Sequence, residues 1–133
     1  MCKKYIDYLI GNEKEKQLLP IIKKYFNDES ICQLSSYDTF DYKGDNKFIE
    51  LKSRNNKMNA YDKTMIGYNK ILKAASIDED VYFFFWFTDG IYFYKYNKAD
   101  IFEVKISGRF DRITSGELNH YAYIPINLLQ RII

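Results

Sequence analysis

The chain has 133 residues, 47% of them hydrophobic and 29% charged, with a formal net charge of +2. That suits one soluble domain with an ordinary hydrophobic core, and no apolar run approaches the roughly 18 residues a membrane span requires. Cys2 and Cys32 are too few for a zinc site and show no framework spacing, so a reducing, cytoplasmic or similar intracellular compartment is expected.

The first helix is predicted from about Asn12 to Phe26. Gly11-Asn12 supplies a start, Glu13 and Glu15 fall in the favourable first turn, and Lys23-Lys24 lie near the end. Leu18, Leu19, Ile22, Tyr25 and Phe26 form its apolar stripe, while Pro20 predicts a kink or a fresh start near Leu19. In a continuous helix Glu15 lies on the packed edge and Glu13 points away. That makes Glu15 the better functional candidate, against the plainer reading of a helix-dipole residue.

Ile31 to Ser36 reads as a short strand leading into a hairpin of roughly 39–43 and 47–53, turned about Gly44-Asp45-Asn46. Along its second strand Ile49 and Leu51 face one way and Phe48, Glu50 and Lys52 the other. Glu50 and Lys52 are thus held on one face about 6–7 Å apart, and an acid from the preceding strand completes a constellation able to hold a divalent metal. A two-residue loop puts Asp41 on that face, and a four-residue loop places it directly opposite Glu50. A three-residue loop instead pairs Asp38 with Lys52. Asp41 is favoured because it lies closer to Glu50, with Asp38 as the alternative should a bulge intervene.

Asn55-Asn56 ends the hairpin, and Tyr61 to Ala75 is predicted as a second helix on the spacing of Tyr61, Met65, Tyr68, Leu72 and Ala75. Lys63 and Lys70 then share the opposite face, either solvated or turned toward phosphate. Val81 to Phe87 and Ile91 to Tyr96 make a second hairpin about Thr88-Asp89-Gly90, the first strand buried on both faces. Ile101 to Ile106 and Tyr121 to Ile126 are further strands, the polar loop between Gly108 and Gly116 carries Arg109 and Arg112, and Asn127 starts a short helix through Ile132. His120 stands alone and reads as a structural hydrogen-bonder. From Lys43 to Lys73 eight basic residues meet three acidic ones, a local net of +5. A basic segment beside an acidic pocket favours a phosphate backbone over a small cation alone.

The order helix, strands, Asp41, the Glu50-Leu51-Lys52 strand, helix, strand resembles the PD-(D/E)XK nuclease superfamily over about residues 12–96. Glu50-Leu-Lys-Ser-Arg through Met65-Ile-Gly-Tyr-Asn-Lys70 also looks like short nuclease-like proteins of phages and large DNA viruses. Phe40 departs from the pattern, standing where the superfamily's often-absent Pro precedes the acid. The resemblance implies an α/β fold, a mixed central β-sheet flanked by helices with a restriction-endonuclease-like core, and Mg²⁺-dependent hydrolysis of DNA, with Mn²⁺ able to substitute. It assigns Asp41, Glu50 and the Leu51 carbonyl as metal ligands, Lys52 to the attacking water, Glu15 to an acid acting through water, and Lys70 to phosphate. Arg54, Lys57 and Lys63, in the basic segment, are further DNA-contact candidates, and a homodimer would extend the contact area. Two rivals remain: a non-catalytic nucleic-acid binder on the same fold, and a protein-interaction domain using its aromatic surface.

Overall fold

The computed structural model describes residues 13–107 and 119–133. Helix α1 (Glu13–Phe26) runs unbroken through Pro20, which lies on the exposed side, and buries Leu18 and Ile22. It ends in a Schellman arrangement: Asn27 takes a φ of 50°, its N–H donates to the Lys24 carbonyl, and the Asp28 N–H donates to that of Lys23. Asp28 then ties the helix to the hairpin. Its Oδ2 accepts from Lys47 Nζ at 2.8 Å and from the Asp45 N–H at 3.0 Å, and the Lys47 ammonium holds the carboxyl well below its ordinary value.

The expected strand over 31–36 shrinks to β1 (Cys32–Gln33), and the hairpin is β2 (Tyr42–Gly44) and β3 (Lys47–Ser53). Tyr42 pairs with Ile49, Lys43 with Phe48 and Gly44 with Lys47. This is the register of the four-residue-loop alternative, closed by one further pair so that Asp45-Asn46 alone turns the chain. Asn46 supplies the positive φ, 54°. Gly44 is required by crowding, since a Cβ there would lie 2.7 Å from Ile31 Cγ1.

The helix expected over Tyr61 to Ala75 is the chief correction. A 3₁₀ turn (Met58–Ala60) and strand β4 (Lys63–Gly67) precede a shorter α2 (Tyr68–Ala75). Thr64 and Ile66 are buried in strict alternation, whereas Tyr61 and Leu72 of the supposed stripe are exposed and α2 packs through Ile71 and Ala74. The two periods coincide over a few residues, and pairing with a distant partner decided between them. Lys63 and Lys70 therefore lie on different elements.

Strands β5 (Asp80–Phe87) and β6 (Gly90–Lys95) form the expected hairpin, with Phe87 opposite Gly90. β5 also runs parallel to β3, Glu50 opposite Phe83 and Lys52 opposite Phe85, so it is a central strand with Val81, Phe83, Phe84, Phe85 and Phe87 all buried. Strands β7 (Glu103–Ser107) and β8 (Asn119–Pro125) follow; Arg109 and Arg112 fall outside the described residues. No helix starts at Asn127: a 3₁₀ turn (Ile126–Leu128) leads into β9 (Gln130–Arg131), which pairs with β6.

The result is α/β: a mixed six-stranded sheet ordered β1-β2-β3-β5-β6-β9, with a three-stranded sheet ordered β4-β8-β7. On one face α1 packs over Ile49, Leu51, Phe84 and Phe93; on the other, α2 and the small sheet pack over Phe83, Phe85 and Phe87. Glu50, with Phe48, points to this second face, under α2. Among the described residues no helix is long and apolar enough to cross a membrane.

Candidate active site

The acid and base of β3 meet side chains from both flanking layers. Glu50 is 2% exposed, yet it is a carboxylic acid in an aromatic interior. Its Oε2 lies 3.4 Å from Lys70 Nζ of α2 and 3.6 Å from Lys52 Nζ. Its Oε1 is buried with no hydrogen-bond partner in the protein. An orphaned carboxylate oxygen is costly, and burial accordingly pushes the Glu50 carboxyl up to about 8, with the Asp41 charge adding to the shift and both lysines opposing it.

Asp41 sits just before β2, where its backbone N–H donates to the Ile49 carbonyl at 3.0 Å and its Oδ2 accepts from the Leu51 N–H at 2.7 Å. The side chain thus completes a ladder position that the strand has left, and it is held beside Glu50. The first turn of α1 brings the third carboxyl. Tyr42 Oη donates to the Glu15 carbonyl at 2.5 Å, pinning that turn to β2. Burial, then the charge of Asp41 and a hydrogen bond with it, raise the Glu15 carboxyl to about 7, with Gln33 and Lys52 pulling the other way.

The structure therefore brings together Glu15, Asp41, Glu50, Leu51, Lys52 and Lys70 from α1, the hairpin and α2. Asp38 is drawn elsewhere: its Oδ2 accepts from the Ser35 N–H at 3.0 Å and from Ser35 Oγ at 2.9 Å, closing a local turn. Lys70, half-buried, also donates to the Thr39 carbonyl, so it braces the cluster as much as it faces outward. Lys52 is the more exposed of the two cations, with 37% of its side chain open to solvent against 19% for Lys70.

The other basic candidates lie apart. Arg54 is half-buried, donates through Nη2 to the Met65 carbonyl and stands 5.9 Å from the Phe85 ring, so it fastens β3 to β4. Lys63 pairs with Glu103 at 3.4 Å on the surface of the small sheet, and Lys57 is exposed beside the 3₁₀ turn. Sequence reasoning missed Gln33, buried and hydrogen-bonded to Glu15, and the carbonyl of Thr39. Nothing local marks either one, because each acquires its role from an element distant in sequence.

Among the described residues no three acidic, histidine or cysteine side chains make a ready-formed metal cluster. Asp41 instead lies close enough to both Glu15 and Glu50 for its charge to raise each of them. Carboxyls crowded together in a buried site hold their protons more tightly, and the raised values of Glu50 and Glu15 follow from burial first and the Asp41 charge second. Two carboxylates with a backbone carbonyl would make a hard, all-oxygen donor set of the kind that suits Mg²⁺, and the orphaned Glu50 Oε1 is an oxygen such an ion would satisfy.

A family model described as "Phage putative PDDEXK endonuclease" matches residues 13–132. The chain belongs to this phage PD-(D/E)XK endonuclease family. The match takes in both sheets as well as the Asp41 to Lys52 hairpin, so the β4-β8-β7 layer lies within the family's extent. No curated protein and no solved structure shows significant similarity to the chain. In this PD-(D/E)XK endonuclease family member, Phe40 precedes Asp41 and is buried, 5.5 Å from the Phe48 ring and 6.3 Å from that of Phe83. A core aromatic therefore anchors the chain immediately before Asp41.

Proposed function

We propose that the protein is a metal-dependent endonuclease that hydrolyses phosphodiester bonds of DNA, working as one domain. The observation that carries this reading is the buried, partnerless Oε1 of Glu50, beside Asp41 and flanked by Lys52 and Lys70. Both lysines reach Oε2, so the ion pairs leave Oε1 without a donor. A metal-ligand role accounts for a carboxylate buried with that oxygen unmatched by the protein.

Asp41, Glu50 and the Leu51 carbonyl would hold Mg²⁺, with Mn²⁺ able to substitute. The ion, when bound, supplies a water of lowered pKa and offsets charge at phosphorus. Lys52, the more exposed cation, orients the attacking water and faces the phosphate oxygens as charge builds on them. Lys70 keeps Glu50 ionisable and adds positive charge under the phosphate. Glu15, tethered through Gln33 and Asp41, fixes a water at the rim of the site. Water attacks phosphorus, the bond to the leaving sugar oxygen breaks, and no covalent enzyme intermediate forms. The Lys57 side of the surface adds sequence-independent attraction for the backbone.

The test is nicking of supercoiled plasmid by purified protein in Mg²⁺, Mn²⁺ or chelator, beside folded Glu50→Gln and Lys52→Met variants. Metal-dependent nicking lost in both variants is the expected result. Nicking that survives in both, or in chelator, would sink the reading. DNA binding without turnover in any metal would return the chain to a binding module.

A further inference from the structure

A cleft of about 530 Å³ opens beyond the site, between the end of β3, the 3₁₀ turn, β4 and the β7-β8 pair. That is within the size range of small-molecule sites. Its walls include Met58, Met65, Phe87, Tyr61 and Tyr123, all apolar or aromatic. Tyr61 is 68% exposed although it borders this cavity, and neither its ring nor its hydroxyl has a partner among the described residues. Asn56 and Asp62 supply polar groups to the lining, and Lys63 and Lys105 lie on the small-sheet side, both paired to Glu103 at 3.4 and 3.6 Å.

The cleft's position relative to the carboxylates gives it meaning. The Arg54 N–H donates to the Trp86 carbonyl at 2.9 Å, so the β3 ladder runs on past Ser53 and Arg54 follows Glu50 and Lys52 along one face. Arg54 is itself part of the cleft wall. The cavity thus begins about 6–7 Å beyond Lys52, a span that one nucleotide of an extended strand covers. A paired base cannot enter such a concavity, because its faces are stacked and its edge is taken. An unpaired base can, lying against aromatic and thioether surfaces with its edge toward Asn56 and Asp62.

We propose that this cleft receives one unpaired base of the DNA strand being cut, next to the scissile phosphate. The substrate is then DNA with single-stranded character at the cleavage point rather than uninterrupted duplex. This rests on the nuclease reading for its register, whereas base capture by the cleft has its own readout.

The experiment is fluorescence anisotropy in chelator, where no turnover occurs, with a labelled 12-nucleotide DNA single strand and the same strand in duplex. Wild type is compared with Tyr61→Ala and Tyr61→Phe, chosen because an exposed Tyr61 is not needed for folding. Tyr61→Ala is expected to weaken single-strand binding about tenfold, to leave duplex binding unchanged, and to be rescued by Tyr61→Phe. Equal affinity for single strand and duplex, no effect of Tyr61→Ala, an equal loss on both DNAs, or no binding at all would overturn the proposal. Tyr61-dependent capture in a protein that never cuts would retain the cleft and discard the nuclease. Metal-dependent cutting that prefers duplex and ignores Tyr61 would do the reverse.

Discussion

The carboxylate of Asp41 accepts the backbone N–H of Leu51 at 2.7 Å, so the acid of one strand end is clamped to the middle residue of the Glu50-Leu51-Lys52 triplet. A strand that has lost its ladder partner is repaired by a side chain, and the repair fixes that side chain beside Glu50. One Asp41 oxygen is thereby occupied while the group still meets Glu15 and Glu50.

Removing the charge of Glu50 or Lys52 should remove turnover. Glu50→Gln and Lys52→Met are each expected to lower the rate of plasmid nicking by at least about 100-fold, the scale on which losing one preorganised electrostatic group is felt. Circular dichroism and melting of both variants establish that the fold survives. A folded variant within tenfold of wild type would exclude that residue from the chemistry.

The free protein should be less stable in alkali than in mild acid. Glu50 is raised from 4.5 to about 8 and Glu15 to about 7, both chiefly by burial. The native state therefore binds more protons than the unfolded chain between about pH 5 and 8, and stability falls as pH rises through that window. Melting temperatures in chelator should decline from pH 5 to pH 8, and Glu50→Gln should flatten most of the decline. A melting temperature that climbs over the same range would contradict the assignment.

Divalent metal should reverse that trend. An ion that displaces the protons of Glu50 and Glu15 and binds only the native state would stabilise it by mass action. Millimolar Mg²⁺ is expected to raise the melting temperature at pH 8, to do little at pH 5, and to do nothing for Glu50→Gln. Stabilisation of equal size at both pH values would place the ion elsewhere.

Lys70 should act through Glu50. Its ammonium lies 3.4 Å from Glu50 Oε2 and opposes the rise of that carboxyl. Lys70→Met keeps the apolar stem and removes the charge, so the acid limb of the pH–rate profile is expected to move about one unit toward alkali. Activity should then partly recover at high pH. A uniform loss at every pH would mark a direct phosphate contact instead.

Arg54 should matter to the fold more than to DNA. Its guanidinium bonds the Met65 carbonyl and packs by Phe85, linking β3 to β4. Arg54→Ala is expected to cost about 2 kcal/mol in urea unfolding and to leave the salt dependence of DNA binding unchanged. A reduced salt slope with intact stability would make it a phosphate contact.

Local pattern alone carried the first helix, the aromatic central strand and the hairpin with Glu50 and Lys52 on one face. Each is stated by a period or a turn within a few residues, as in Ile49 and Leu51 alternating with Glu50 and Lys52, or Asp89-Gly90 at the start of β6. The alternation also held Asp41 as a candidate without choosing its register. Tertiary structure decided the rest. Pairing with β8 made a strand of Lys63 to Gly67 although apolar residues there also fell at helical spacing, and pairing with β6 drew Gln130 and Arg131 out of an expected helix. The Asp28 clamp and the Tyr42 hydroxyl, not any motif, placed Glu15 by Asp41. The same logic turned Arg54 inward and gave Lys70 to Glu50. Side-chain alternation is a property of a single strand, whereas burial, pairing and the meeting of charges depend on elements the chain brings from far away.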